Sequence, residues 1–250
     1  MEIPPDGVKV WRGFRSPSLA QADFFAKLGQ VFIPATVEMQ IAIGLDAYLP
    51  TVPAGLADKP DTVPDETALI FWDSQQTYTD GFETLAVRTY TLTHGAVYTP
   101  KPQSDAQFTI PLAPGPLVPN QPYYLVDQPA DWMHGTPSHT IVGRPDSQSP
   151  DDFQAAYAPL MESLSGSAGI DGGIVCAGDD YLVFWALGAA AATAAEQVAG
   201  AAGGGWTHVA TPQPTSLPAG LWDVWPGMTV QPGDSFNMQF KRRWETGGPE

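Results

Sequence analysis

The residues with the clearest capacity for chemistry lie close together in the first half of the chain. His94 follows a predicted helix, Arg88 lies inside that helix, and Asp73 follows an apolar strand. A histidine can exchange a proton near neutral pH, an arginine can stabilise an anion or enolate, and a carboxylate can orient such groups. We therefore predict His94 as the acid/base, Arg88 as the anion partner and Asp73 as the orienting carboxylate.

Aromatic residues in the same half could line a pocket for a small molecule. Small-molecule sites are mostly apolar and contain a few well-placed polar groups. The helix that matches this region in the second half is nearly all alanine, so the pocket is predicted in the first half. Ordinary core packing is the alternative for Trp72, and a surface salt bridge is the alternative for Arg88. The predicted substrate contacts are Trp11, Tyr48, Phe71 and Trp72 as walls and Glu38 as a polar contact.

The other histidines give weaker indications. Thr207-His208 repeats Thr93-His94, and a histidine at a helix end can also serve only to bind free carbonyl groups. His134 and His139 lie in a loop rich in Pro and Gly, where no cysteine or carboxylate completes a ligand set. The dinucleotide-binding and serine-hydrolase glycine motifs are absent. We predict neither a metal nor an organic cofactor.

Short motifs recur in the same order in both halves, which indicates a diverged internal duplication. Apart from one change in a proline-rich loop, the spacing between matches is nearly constant. We predict a first unit over residues 1–132 and a second over 133–250. The main matches are Gly44-Leu45-Asp46 with Gly169-Ile170-Asp171, Phe71-Trp72 with Phe184-Trp185, and Thr93-His94 with Thr207-His208.

Each half has the predicted element order strand-helix-strand-strand-helix-strand, which is the split β-α-β motif of ferredoxin-like domains. Pro34 is expected to end or kink the first helix near Ile33. The segments after each unit, Pro114–Trp132 and Pro226–Trp244, are predicted to be edge strands or arms that wrap the partner unit. The predicted strands are 8–14, 41–49, 67–72 and 95–99 in the first unit, and 139–143, 169–177, 181–187 and 206–211 in the second; the predicted helices cover 16–33, 81–93, 149–164 and 189–202.

Over residues 8–99 and 139–211 this arrangement resembles the dimeric α+β barrel superfamily. The resemblance implies an α+β fold, in which two fused ferredoxin-like units pack their antiparallel sheets face to face as a pseudo-dimer. Members of that superfamily include cofactor-free monooxygenases, polyketide cyclases, isomerases and haem-binding proteins. The resemblance rests on element order and duplication, so no catalytic residue is transferred from it.

Composition restricts the partners. The formal charge of −16 disfavours nucleic acid and anionic membranes. The single cysteine, Cys176, and the lack of a leader-like N-terminus favour a cytoplasmic protein.

The predicted function is a cofactor-independent enzyme that acts on a small apolar or aromatic metabolite as a cyclase, isomerase, lyase or monooxygenase. A non-catalytic binding or assembly protein, with proline-rich arms making homo-oligomer contacts, and a haem-binding protein are the alternatives.

Overall fold

The computed structural model describes residues 7–53, 58–99, 107–112, 115–126, 130–132, 135–210, 236–237 and 240–241. Within these residues two antiparallel sheets pack against each other, and the helices cover their outer faces. The strands are β1 (Val8–Gly13), β2 (Leu45–Val52), β3 (Glu66–Trp72), β4 (Gln107–Phe108), β5 (Ile110–Pro111), β6 (Pro122–Tyr124), β7 (Ser138–Gly143), β8 (Gly172–Ala177), β9 (Tyr181–Leu187), β10 (Thr207–Ala210), β11 (Phe236–Asn237) and β12 (Phe240–Lys241). The helices are α1 (Gln21–Lys27), α2 (Ile33–Ile41), α3 (Gln75–Gly81), α4 (Leu85–His94), α5 (Pro150–Ser165) and α6 (Ala191–Gly200).

The second sheet contains a complete ferredoxin-like unit, with its four strands in the order β10-β7-β9-β8. Its elements follow local signals in the sequence. The N–H of Asp152 donates to the side chain of Ser149 over 3.2 Å and caps α5, and β9 covers the predicted strand residue for residue. The predicted ferredoxin-like unit is confirmed here.

The first sheet has the equivalent order β2-β3-β1-β4, but its closing strand is not where we predicted it. Residues 95–99 form one isolated bridge, from Tyr98 to Arg15, and the two residues of β4 take the edge beside β1. The predicted helix over 81–93 is also shorter, because a separate helix, α3, precedes α4. Ser74 starts α3 by accepting a hydrogen bond from the Thr77 N–H over 3.1 Å.

Pro34 does not end the first helix. A π-helical turn over Leu28–Phe32 joins α1 to α2, and Pro34 lies in the first turn of α2. The Ile33 N–H donates to the Leu28 carbonyl, one residue further back than in an α-helix. The start of a helical segment tolerates proline because its N–H would lack an intrahelical partner there. The widened turn therefore lets the chain continue through Pro34 to Ile41.

Segments from each half complete the sheet of the other half. β6, which follows the strands of the first sheet along the first half, pairs with β8 of the second sheet, and β5 adds beside β6 in parallel. β11 and β12 near the C-terminus pair with β2 of the first sheet. β6 lies within the segment Pro114–Trp132 and β11 and β12 lie within Pro226–Trp244, the two segments predicted as arms, whereas β5 precedes the first of them. The boundary between 132 and 133 stays a prediction.

The two sheets share one apolar interior, which receives alternate residues from both. Val10 and Phe71 of the first sheet belong to the same buried cluster as Ile141 and Trp185 of the second. Polar contacts also cross this interface: Thr67 Oγ1 is 3.0 Å from His139 Nε2, and Arg12 Nε donates to the Tyr181 hydroxyl over 3.3 Å. The pseudo-dimeric α+β barrel predicted from the duplication is therefore the observed fold.

Gly188 turns the chain from β9 into α6 with a φ of +115°, in the region that side chains rarely adopt. A Cβ at this position would also overlap the carbonyl oxygen of Gly169. We expect Gly188→Ala to lower the free energy of unfolding by about 2 kcal/mol. Gly200→Ala is the matched control, because it lies at the end of α6 with open space around it. Urea titrations that show equal stability for the two variants would contradict this expectation.

Candidate functional site

A cavity of about 420 Å³ lies between the first sheet and the helices that cover it. Alternation along the strands directs one set of side chains to this face and the other set to the sheet interface. Half of the lining residues are Phe, Trp or Tyr, and none of the described lining residues is Asp or Glu. The lining side chains come from β1, β2, β3, the π-helical turn, α2, α3, α4 and the segments that follow α3 and α4: Lys9, Trp11, Phe32, Thr36, Gln40, Tyr48, Ile70, Trp72, Tyr78, Phe82, Tyr90, Thr91, His94, Tyr98 and Thr99, with Gly95 completing the set.

His94 is the last residue of α4 and lines this cavity within a group of aromatic rings. Its ring meets those of Phe32, Tyr90 and Trp11 edge-on, with centroid distances of 4.8, 5.0 and 5.3 Å. Its Nδ1 lies 3.1 Å from the carbonyl oxygen of Thr91. A carbonyl can only accept, so Nδ1 carries the proton, and Nε2 is the basic nitrogen of the neutral ring.

The pKa of His94 is lowered from its ordinary value of 6.5, mainly because burial disfavours the charged ring. The backbone carbonyls of Thr91 and Tyr90 oppose this shift, and the positive charge of Lys9 adds to it. The imidazole is therefore neutral at pH 7 and available as a base. A general base must be unprotonated at the working pH, and the lowered pKa of this ring meets that requirement.

Glu66 is a buried carboxylate beside the cavity that the sequence analysis did not identify. Its side chain is 0% exposed and accepts hydrogen bonds from the hydroxyls of Tyr48 and Tyr98. The indole N–H of Trp11 also donates to it over 2.9 Å. Burial raises the pKa of Glu66, and the three donors oppose that rise because they favour the ionised form. All three donors line the cavity, so Glu66 holds a large part of its wall in place.

The phenols beside Glu66 are poor acids at physiological pH. Burial is the main cause of the raised pKa values of Tyr48 and Tyr98, and the negative charge of Glu66 raises them further. Tyr90 contacts the hydroxyl of Thr36, which in turn donates to the Phe32 carbonyl over 2.9 Å. Burial raises the pKa of Tyr90 as well. Among the ionisable lining residues, His94 is therefore the one suited to take a proton at neutral pH.

The structure brings four of the predicted site residues together. Trp11, Tyr48, Trp72 and His94 all line the cavity of the first unit, where the sequence analysis located them. Glu38 belongs to α2, but its side chain lies outside the described residues.

Three predicted residues lie elsewhere. Phe71 precedes Trp72 in β3 and therefore faces the opposite way, into the interface between the sheets. Arg88 lies on the outer face of α4, where its side chain is 60% exposed and forms a 2.6 Å ion pair with Glu83. Asp73 is exposed just beyond the end of β3. The prediction that Phe71, Arg88 and Asp73 contact this pocket is therefore wrong.

Two of the sequence matches do not mark equivalent positions. Trp72 faces the helices, whereas Trp185 lies in the sheet interface. Side chains alternate between the two faces of a strand, so a shift of one residue between the two matched strands places the tryptophans on opposite faces. His94 ends a helix, whereas His208 lies in the strand β10 and stacks near Trp206 at a centroid distance of 6.2 Å. The predicted equivalence of the two histidines is wrong. Gly44 and Gly169 are equivalent, since each has a positive φ just before the second strand of its unit.

The described residues were also compared with the requirements of a metal site and of a membrane-spanning helix. No group of three or more His, Cys, Asp or Glu side chains among them could hold a metal ion. His139 contacts Thr67 and the Phe184 carbonyl in the protein interior. None of the described helices has the length and apolar character needed to cross a membrane.

Fold and site together define a fused pair of ferredoxin-like units with an aromatic cavity in the first. No family model and no curated protein matches the chain. A similar solved structure is a proposed monooxygenase from Fusobacterium nucleatum, which is 8% identical and has a TM-score of 0.36; the match covers 82% of this chain and 89% of that chain. Another is a proposed monooxygenase from Lactobacillus acidophilus, which is 11% identical and has a TM-score of 0.35; the match covers 82% of this chain and 91% of that chain. An anthrone oxidase-like protein has 12% identity and a TM-score of 0.32, and the similarity covers 84% of this chain and 95% of that one. The fold assignment rests on strand order and sheet packing, since these scores are low.

Proposed function

We propose that the chain is an enzyme that acts on a small apolar or aromatic molecule in the cavity of the first unit, with His94 as its general base. The observation that carries this proposal is the neutral imidazole of His94 in the wall of an aromatic cavity. Its Nδ1 is bound to its own helix, which leaves Nε2 to reach a ligand. A lowered pKa keeps this nitrogen unprotonated at neutral pH.

The aromatic lining sets the substrate class. Trp11, Phe32, Tyr90 and Tyr98 surround the imidazole, so a flat apolar substrate would be held by ring contacts beside the base. Proton removal from carbon is the step this arrangement supports best, and it needs no bound cofactor. Cyclisation, isomerisation, elimination and oxygenation of an activated ring can all begin with that step. A protein that only assembles has no need of such a cavity, which favours a protein that acts on a small molecule.

Deuterium exchange tests this proposal directly. 2-Tetralone and 2-indanone combine an aromatic ring with an acidic C–H next to a carbonyl, and proton NMR in D₂O follows the loss of their α-proton signals. We expect the protein to accelerate exchange and His94→Gln to reduce that acceleration by about 100-fold. Because the pKa of His94 is lowered, the pH at which the exchange rate falls to half its plateau should lie below 6.5.

His208→Gln is the control, because His208 lies in β10 and does not line the cavity. It should leave the exchange rate unchanged, and both variants should melt within a few degrees of the parent protein. Equal exchange by His94→Gln and the parent protein, or no acceleration over buffer, would remove the support for His94 as a base.

A further inference from the structure

The cavity lining contains a hydrogen-bond donor that has no acceptor among the described residues. Trp72 is 0% exposed and lines the cavity, yet its indole Nε1 has no hydrogen-bond partner there. Buried indole N–H groups usually find an acceptor, since leaving one unpaired costs the full loss of its hydration. A ligand atom in the cavity is one way to supply that acceptor.

Lys9 adds positive charge close to this donor. Its side chain is only 2% exposed, and its Nζ lies 3.2 Å from the centroid of the Tyr78 ring. The Tyr78 ring in turn packs against Trp72 at a centroid distance of 5.4 Å. Lys9 pairs with Ile70 in the sheet, so it lies on the neighbouring strand, close to Trp72 and on the same face. The ammonium group of Lys9 therefore adds positive charge beside Trp72, which favours a negative or partly negative ligand atom there.

We propose that Trp72 and Lys9 form a subsite for a carbonyl-type oxygen carried by the aromatic ligand. The indole N–H donates to this oxygen, and the ammonium group stabilises the negative charge on it. The substrate class is therefore an aromatic ketone or a related conjugated carbonyl compound, rather than a hydrocarbon.

In such a reaction His94 would take the proton from carbon, and the subsite would hold the oxygen of the same substrate. The C–H bond next to the carbonyl breaks, its proton moves to Nε2 of His94, and its electron pair shifts to form an enolate whose oxygen lies at Trp72 and Lys9. Protonation of the enolate by the imidazolium at carbon or oxygen returns His94 to its neutral state. Donors placed where charge develops are an effective means of lowering such a barrier.

This inference rests on the proposed function, because it assigns further residues of the same cavity. The test is equilibrium binding, which needs no turnover, so loss of exchange activity and loss of this subsite can be observed separately. The probes are 2-acetylnaphthalene and 2-isopropenylnaphthalene, which have nearly the same shape but present a carbonyl oxygen or a methylene group. Equilibrium dialysis with ultraviolet absorbance gives Kd for each.

We expect the parent protein to bind the ketone about tenfold more tightly than the alkene. Trp72→Phe keeps an aromatic ring but removes the N–H, so it should weaken ketone binding by about fivefold or more and leave alkene binding nearly unchanged. Lys9→Met keeps most of the side-chain stem and should also reduce the preference for the ketone. Trp185→Phe is the matched control in the sheet interface and should retain the preference in full.

Equal binding of the two probes by the parent protein, or failure to bind either, would overturn the subsite. So would a Trp72→Phe variant that folds and still prefers the ketone. If Trp72→Phe does not fold, the comparison in the parent protein is sufficient, with NMR of its indole N–H groups as the second measurement. One indole proton should then shift downfield with the ketone and not with the alkene, and a spectrum without such a shift would contradict the proposal.

Discussion

Replacing Glu66 with leucine is expected to lower the free energy of unfolding by about 4 kcal/mol. The reason is that three buried donors, the hydroxyls of Tyr48 and Tyr98 and the indole N–H of Trp11, would lose their common acceptor. Each unpaired donor costs about 1–3 kcal/mol, and rearrangement around the smaller side chain recovers part of the total. Chemical denaturation of the variant and the parent protein measures the difference.

Glu66→Gln distinguishes the loss of charge from the loss of acceptors. The amide oxygen can accept from Trp11 and Tyr98, and the Tyr48 hydroxyl can rotate to accept from the amide N–H. We therefore expect a smaller loss of about 1–2 kcal/mol. Glu162→Gln, on the exposed side of α5, should leave stability within about 0.5 kcal/mol of the parent. A Glu66→Leu protein as stable as the parent would show that the three donors find other acceptors.

Acid is expected to destabilise the protein through His139. Its ring is fully buried in the interface between the sheets, where it stacks on Trp185 at a centroid distance of 4.3 Å. Nδ1 donates to the Phe184 carbonyl over 2.8 Å, and Nε2 accepts from Thr67. Burial lowers the pKa of His139 from 6.5 to about 3. The folded protein therefore keeps this ring neutral at pH values where the unfolded chain protonates it.

The sign of the effect follows from proton linkage. Below pH 6.5 the unfolded chain binds a proton at this position that the folded protein does not bind until pH falls to about 3. The free energy of unfolding should thus fall by about 1.4 kcal/mol for each pH unit within that window. Between pH 6.5 and pH 5 the loss from His139 alone amounts to about 2 kcal/mol.

His139→Gln isolates this contribution from other titrating groups. Glutamine can accept from Thr67 and donate to the Phe184 carbonyl without binding a proton. Urea titrations at several pH values should give the parent protein a steeper loss of stability with acid than the variant. The lowered pKa values of His94 and His208 add to the acid sensitivity of both proteins, and the raised pKa of Glu66 opposes it. Parallel pH profiles for parent and variant would show that His139 does not titrate as its burial requires.

The sequence by itself indicated the two ferredoxin-like halves and most of their elements, although α3 and β4 were not predicted, and it placed a pocket in the first half. Alternating apolar strands and helices with clear start signals, such as Ser149 before α5, fix local structure through short-range interactions. The duplication also indicated two sheets around one interior. Trp11, Tyr48, Trp72 and His94 were found because large aromatics and a histidine are concentrated in the first unit.

Only the tertiary structure decided which way each side chain faces. A shift of one residue reverses the face of a strand, so the repeated Phe-Trp pair places Trp72 in the cavity but Trp185 in the sheet interface. The same long-range packing encloses Glu66 among Tyr48, Tyr98 and Trp11, which lie up to 55 positions away along the chain. A lone Glu in the sequence resembles any surface residue, because burial and hydrogen-bond partners from other strands are properties of the folded chain.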